Sequence, residues 1–175
     1  MIDKTLIGIC IVIVAAMVAI PVAYEAPMIA RCTQVALDVL RRADPLDRRP
    51  PPALAAAIEI ELASANLPLA AARKTIRVTR CNGRRTHTIA HMFENLAVSV
   101  WWRFRFSRED LIGLYASQAW LGYHRKGFAA ASRMIFGREL TELTPDEQRC
   151  LARKLRKPSA RSFTCGTDAR TASRW

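Results

Sequence analysis

A length of 175 residues allows one domain of ordinary size. The five cysteines form no C-x-x-C pair, which argues against a zinc ribbon; they are Cys10, Cys32, Cys81, Cys150 and Cys165. The formal net charge is +12, and residues 151–175 contain one acidic residue, Asp168, among many Lys and Arg. This basic end, predicted to be disordered over 159–175, favours anionic partners such as lipid head groups, polyanionic polymers or nucleic acid.

The first predicted element is the apolar segment TLIGICIVIVAAMVAIPVAY at 5–24, which contains no charge. A helix of about 20 such residues spans the core of a bilayer. A cleaved signal peptide is the alternative, but the apolar run is long for one and Pro27 disfavours cleavage near Ala26. The sequence therefore predicts an uncleaved transmembrane anchor over 1–26. Positive charges flank both of its ends, so its orientation stays open.

Two helices are predicted between the anchor and residue 66. Apolar residues recur at helical spacing in MIARCTQVALDVLRRA, and successive prolines then break the chain at 44–52. The segment 53–65, ALAAAIEIELASA, is rich in helix formers and places Glu59 off its apolar face and Glu61 at the margin. That face consists of Leu54, Ala57, Ile58 and Leu62.

The middle of the chain contains an ambiguous segment and a long predicted helix. Residues 73–85, RKTIRVTRCNGRR, alternate as in a short strand, and their Asn-Gly pair is typical of a turn. Residues 86–106 predict a helix with one apolar stripe, which consists of Ile89, Met92, Phe93, Leu96, Val100 and Trp101. This helix ends in WWRFRF, which fits a membrane interface or base stacking; core packing of at least half of these side chains is the plainer interpretation.

Capping residues divide the last part of the chain into helices. Gly137 predicts a left-handed stop after the short helix that follows Gly127. The predicted helix starts are the Ser107–Asp110 capping box and the Thr144, Pro145 and Glu147 set. The predicted fold class is therefore all-α, mainly helical, with one small hairpin left open at 73–85.

Five short motifs then follow one another in order. They are FSREDLIGLYAS at 106–117, WLG at 120–122, GFAAAS at 127–132, IFGREL at 135–140 and LTPDEQRCLA at 143–152, followed by Pro158. Together they resemble the C-terminal part of the family 51 glycosyltransferase domain, the peptidoglycan transglycosylase domain of class A penicillin-binding proteins and monofunctional transglycosylases. The resemblance implies a lysozyme-like transglycosylase lobe within residues 27–158.

The resemblance also implies a reaction. In the family, a glutamate deprotonates a sugar hydroxyl, which attacks the donor's anomeric carbon and displaces a lipid pyrophosphate. The segment 54–69 stands where the family has this glutamate and places Glu61 on the general base. The family's adjacent Asp is replaced by Leu62, and the Phe and His that follow are absent. In HMFE, His91 replaces the lysine of a family K-x-x-E motif and Glu94 matches its second glutamate.

The candidate catalytic residues are therefore Glu61, as the base, and Glu94, as a supporting or metal-contacting carboxylate. The candidate substrate-binding residues are Arg84, Arg85, His91 and Lys126. An ordinary solvated helix surface is the plainer interpretation of these positions. His87 and His91 have the spacing of a zinc pair, but the glutamate of H-E-x-x-H and a third ligand are missing.

Three functions remain in view. The first is a peptidoglycan glycosyltransferase, and the second is a catalytically degenerate relative that acts as an envelope binding or scaffold protein. The third is a nucleic-acid binder, which the basic tail alone suggests. Because the five motifs favour the first two functions, no nucleic-acid partner is expected. The resemblance implies a lipid-linked peptidoglycan precursor, the membrane and cell-wall synthesis proteins as partners. It also implies a single-pass protein of the cytoplasmic membrane, mostly periplasmic. No cofactor follows from the residues themselves, and a divalent cation on the pyrophosphate is implied only by the family.

Overall fold

The computed structural model describes residues 26–62, 66–83, 89–121 and 126–155. The predicted span at 5–24 and the basic tail at 159–175 lie outside these ranges. Within them the chain is mainly helical, with one isolated β-bridge between Trp120 and Lys126. No helix in this part of the chain is both long enough and apolar enough to cross a bilayer.

The described elements confirm the all-α prediction. Residues 73–79 form the last turns of a helix, so the hairpin alternative is wrong; Ala72, Thr75 and Ile76 are buried at helical spacing. The helices are α1 (residues 26–42), α2 (Pro45–Arg48), α3 (Pro52–Glu61), α4 (Leu67–Thr79), α5 (Ile89–Arg105), α6 (Arg108–Ser117), α7 (Phe128–Phe136) and α8 (Pro145–Arg153), with a 3₁₀ turn at Leu140–Glu142.

The predicted helix ends agree with their capping contacts. Reciprocal capping boxes join Ser107 to Asp110 at the start of α6 and Thr144 to Glu147 at the start of α8. Gly137, with φ 65°, ends α7 in the left-handed conformation, as predicted. The predicted break at 44–52 differs, because it contains α2, whose first turn is capped by the side chain of an aspartate, Asp44.

The buried apolar side chains form two groups. The α3–α8 core joins α3, α6, α7 and α8 and includes Leu54, Ile58, Phe128, Leu140 and Leu151. The α4–α5 core joins α1, α4, α5 and α6 and includes Cys32, Ile76, Val98, Trp102 and Leu114. A disulfide between Cys32 and Cys81, with Cα atoms 5.1 Å apart, fastens α1 to the turn after α4 inside the second core. Cys150 on α8 is also disulfide-bonded.

The apolar stripe predicted for α5 faces solvent at its described positions, which are Met92, Phe93, Leu96, Val100 and Trp101. Phe93 is 65% exposed and Trp101 51% exposed. The buried face of α5 consists of Glu94, Asn95, Val98, Ser99 and Trp102, followed by Phe106 just beyond the helix end. Asn95 and Ser99 donate hydrogen bonds to carbonyl oxygens of their own helix, at 2.7 and 2.8 Å, which satisfies these donors without solvent. Half of the WWRFRF aromatics, Trp102 and Phe106, therefore pack in the core.

Candidate functional site

A carboxylate, an imidazole and an amide meet near the start of α5. Glu94 is buried, and its Oε2 accepts a hydrogen bond from Asn82 Nδ2 at 2.8 Å. His91 Nδ1 lies 3.2 Å from the same nitrogen of Asn82 and 3.4 Å from Glu94 Oε2. His91 and Glu94 share a helix face because they are three residues apart, whereas Asn82 comes from the turn after α4. We call these three residues the Glu94 cluster.

The tautomer of His91 decides which contact of its Nδ1 atom is attractive. An unprotonated Nδ1 accepts a hydrogen bond from Asn82 but faces the lone pairs of Glu94, whereas a protonated Nδ1 donates towards Glu94. The Asn82 amide has two N–H groups, and one of them donates to Glu94 in either state. Glu94 therefore keeps this hydrogen bond in either tautomer of His91.

The predicted base, Glu61, is the last residue of α3. Its side chain is half-buried, and its Oε2 atom is shielded from solvent. α3 packs mainly on α8, whereas α5 packs on α4. The structure thus places the two predicted catalytic glutamates on helices of different cores, and each is less exposed than a fully solvated helix-surface carboxylate.

An open cleft of about 550 Å³ lies where the end of α3 and the starts of α4 and α6 approach the end of α5. This volume is in the range of ligand pockets. Its lining residues are Glu59, Leu62, Asn66, Leu67, Pro68, Arg103, Phe106, Arg108 and Leu111. Glu59 accepts hydrogen bonds from two nitrogens of Arg108, both at 2.5 Å, which joins α3 to α6 across the cleft. Glu61 immediately precedes the lining residue Leu62.

Lys126 belongs to a group of cations with two residues of α4. Burial and the charges of Arg77 and Lys126 lower the pKa of Lys74, so Lys74 is close enough to be repelled by each of the other two cations. A bound polyanion would relieve this repulsion. We call these three residues the α4 basic group. Arg84 and Arg85, predicted for the same role, lie outside the described residues.

The side chains of the described residues do not make a metal site. Within the described ranges, no three His, Cys, Asp or Glu side chains are placed to hold a metal ion together. The Glu94 cluster combines one carboxylate with one imidazole, which is fewer ligands than zinc or magnesium sites use. No step is therefore derived through a divalent cation. His87, which has the i, i+4 spacing of a zinc pair with His91, is not among the described residues.

The glycine of the GFAAAS motif faces a buried carboxylate from α2. Asp47 Oδ1 accepts hydrogen bonds from the backbone N–H groups of Phe128 at 2.7 Å and Ala129 at 2.9 Å, and so caps α7. Gly127 has φ 98°, and a β-carbon there would collide with Asp47 Oδ2. Burial raises the pKa of Asp47 to about 6, although the two N–H donors oppose this shift. The motif thus has a structural role at this position.

A sequence model of the Transglycosylase family matches residues 73–175. The match covers more than half of the chain, and the protein therefore belongs to the Transglycosylase family. The matched segment contains the Glu94 cluster and the α4 basic group, whereas Glu61 lies upstream of it. No curated protein and no solved structure matches the chain. Family membership confirms the resemblance and indicates a peptidoglycan glycosyltransferase-like function.

Several residues of these sites were missed by sequence reasoning. In the sequence, Asn82 appears only as half of a turn and Asp47 only as part of a break. Each contacts a helix to which it does not belong, and neither contact is visible as a periodic pattern. Lys74 carries no local signal of its role, because its proximity to Lys126 depends on how the chain folds.

Proposed function

We propose that the protein is a peptidoglycan glycosyltransferase that polymerises lipid-linked disaccharide into glycan chains with a glutamate general base. The observation that carries the proposal is the family match over residues 73–175. The buried Glu94 cluster inside this match supports it, because a desolvated carboxylate held by specific hydrogen bonds is characteristic of functional sites.

In the proposed reaction, a glutamate takes the proton of the acceptor's sugar hydroxyl. The resulting oxygen attacks the donor's anomeric carbon, and the bond to the lipid pyrophosphate breaks with its electron pair on the leaving oxygen. Glu61 is the proposed base, since it ends α3 beside the cleft with one oxygen shielded from solvent and the side chain still partly accessible. Glu94 is the proposed supporting carboxylate, and His91 the proposed substrate contact beside it.

The leaving pyrophosphate is the most highly charged part of the proposed substrate. We assign its binding to Lys126 with its neighbours in the α4 basic group, and to Arg84 and Arg85 by the resemblance. A divalent cation on the pyrophosphate is proposed from the family alone. The proposed partners are the lipid-linked precursor, the membrane and other proteins of cell-wall synthesis.

The second candidate is a catalytically degenerate relative that binds or organises envelope components. Two observations favour it. Glu61 lies outside the matched segment, and His91 occupies the position of the family's lysine. Such a protein would keep the helical domain and its precursor contact without turnover.

We propose that the domain lies on the periplasmic side of the cytoplasmic membrane, behind an anchor at 1–26. The Cys32–Cys81 bond and the bonded Cys150 support this location, because disulfides form and persist in oxidising compartments. The length of the apolar segment 5–24 supports the anchor.

The test is glycan-chain formation from labelled lipid-linked disaccharide in detergent. The full chain is compared with Glu61→Gln and Glu94→Gln, and Glu109→Gln, an exposed carboxylate on α6, serves as the matched control. We expect polymer from the wild type and the control, and a loss of at least about 100-fold in Glu61→Gln, the range of general-base catalysis. Loss in Glu94→Gln alone would move the base to Glu94. No polymer from any form, with precursor still bound, would establish the binding protein.

A further inference from the structure

α5 concentrates the exposed apolar surface of the described chain. Six of the nine exposed large apolar side chains lie on this one helix. They are Met92, Phe93, Leu96, Val100, Trp101 and Phe104, and we call them the α5 stripe. At 1.5 Å per residue, the stripe runs roughly 18 Å along the helix. Monomeric proteins rarely leave a contiguous apolar surface of this size in water, so the stripe requires a partner.

The described part of the fold does not supply that partner. The opposite face of α5 already packs in the α4–α5 core, through Val98, Trp102 and the following Phe106. Phe104 is 82% exposed, although Trp102 and Phe106, two residues before and after it, are buried. The stripe is therefore a second apolar face on a helix whose first apolar face is in use.

The charges around the stripe indicate what covers it. Arg103 and Arg105, both exposed, flank Phe104 and project on opposite sides of the stripe. The single acidic residue of α5, Glu94, is buried on the other face. The exposed surface of α5 thus combines apolar and cationic side chains and carries no negative charge. Trp and Arg in this arrangement are typical of the head-group region of a membrane.

We propose that the α5 stripe inserts into the surface of an anionic lipid bilayer, with α5 lying in the plane of the interface. The apolar side chains would enter the acyl boundary, while Arg103 and Arg105 contact lipid phosphates. A second copy of the chain fits less well, because two paired stripes would bring the same arginines together in one interface. This contact is separate from the predicted anchor and does not depend on catalysis.

Docking in this way would orient the cleft. Arg103 both flanks the stripe and lines the cleft, so the cleft would open at head-group depth. The pyrophosphate of a lipid-linked substrate lies at that depth. This consequence rests on the proposed function, whereas the docking itself does not.

Tryptophan quenching tests the contact on the full chain reconstituted in vesicles with brominated acyl chains. Two exposed tryptophans form a matched pair: Trp101, 51% exposed on the stripe, and Trp120, 46% exposed outside α5. With phosphatidylglycerol present, we expect Trp101→Phe to remove about half or more of the quenchable emission and Trp120→Phe to remove little. Replacing Arg103 and Arg105 by Gln should weaken the quenching of Trp101 in these vesicles, but not in vesicles of phosphatidylcholine alone.

The predicted anchor would hold any variant on the vesicles, so quenching of Trp101, rather than vesicle binding, is the readout. Equal losses in the two tryptophan variants would overturn the proposal. So would a Trp101 that is shielded from bromine. Shielding that disappears on dilution in lipid would show that a second copy covers the stripe, and shielding that persists would show that the segment 5–24 covers it. The glycan assay reports separately on catalysis.

Discussion

Asp47 shows how one side chain can govern a helix that is distant in sequence. It caps α7 from 81 residues away, and the collision that it would make with any β-carbon explains Gly127. Sequence reasoning recognised Gly127 as a helix boundary, because that information is local. The capping carboxylate was not predictable, since Asp47 precedes two arginines in a proline-rich segment that reads as exposed.

The raised pKa of Asp47 predicts a specific pH dependence. Its folded pKa of about 6 lies above the ordinary 3.8, so its contribution to stability is fully present below about pH 4 and is lost as the pH rises through 6. Asp47→Asn keeps an oxygen for the two N–H donors but cannot titrate. Between pH 4 and pH 7, we expect the wild type to lose on the order of 3 kcal/mol of unfolding free energy relative to this variant.

Urea unfolding at the two pH values measures this difference. Asp38→Asn, which removes a half-exposed carboxylate on α1, is the control, and the same comparison with it should show a much smaller change. A difference between wild type and Asp47→Asn that is the same at both pH values would contradict the interpretation.

At the scale of elements, the starts of helices could be predicted from the sequence, whereas the orientation of one helix in the fold could not. The starts of α6 and α8 were predictable from Ser107 and Thr144, because a cap acts within its own first turn. The orientation of α5 was not, because its exposed face is the more apolar one. A prediction from the apolar–polar pattern assumes that the more apolar side of a helix points inward. α5 does not follow this rule, because polar side chains on its buried face make hydrogen bonds within the fold.

One hydrogen bond between elements predicts a measurable cost. The Trp102 indole N–H donates to Thr33 Oγ1 at 3.1 Å, which joins α5 to α1 inside the α4–α5 core. Thr33→Val should lower the free energy of unfolding by about 1–3 kcal/mol, because the buried N–H then lacks this acceptor. Thr79→Val is the control, since the Thr79 hydroxyl donates to Thr75 O of its own helix. Equal losses of stability in the two variants, measured by urea unfolding, would rule out a special role for the bond.

On the scale of the whole molecule, the two cores should depend unequally on one disulfide for their stability. The Cys32–Cys81 bond lies in the α4–α5 core and closes a segment with a sequence separation of 49 residues. Its pairing could not be predicted from the sequence, because connectivity depends on which helices meet. The family and the helical class could be predicted from short motifs in their order along the chain. The relative positions of Glu61 and Glu94 could not be predicted, because they depend on how the helices pack.

Removing this disulfide should affect the two cores unequally. The double variant Cys32→Ala, Cys81→Ala should lose about 4 kcal/mol of unfolding free energy by the chain-entropy relation. Amide hydrogen exchange should accelerate more in α5 than in α8, because α8 belongs to the other core. Equal acceleration in both helices would instead show that the two cores open as one cooperative unit.

The same disulfide bears on how the chain matures. Cys32 and Cys81 are the first two cysteines after the predicted anchor, and Cys150 follows them. A chain that crosses a membrane in amino-to-carboxyl order presents these two thiols to an oxidase before any other thiol of the domain arrives. The earliest bond formed is then the native one, so this part of the protein should mature without an isomerase to correct it.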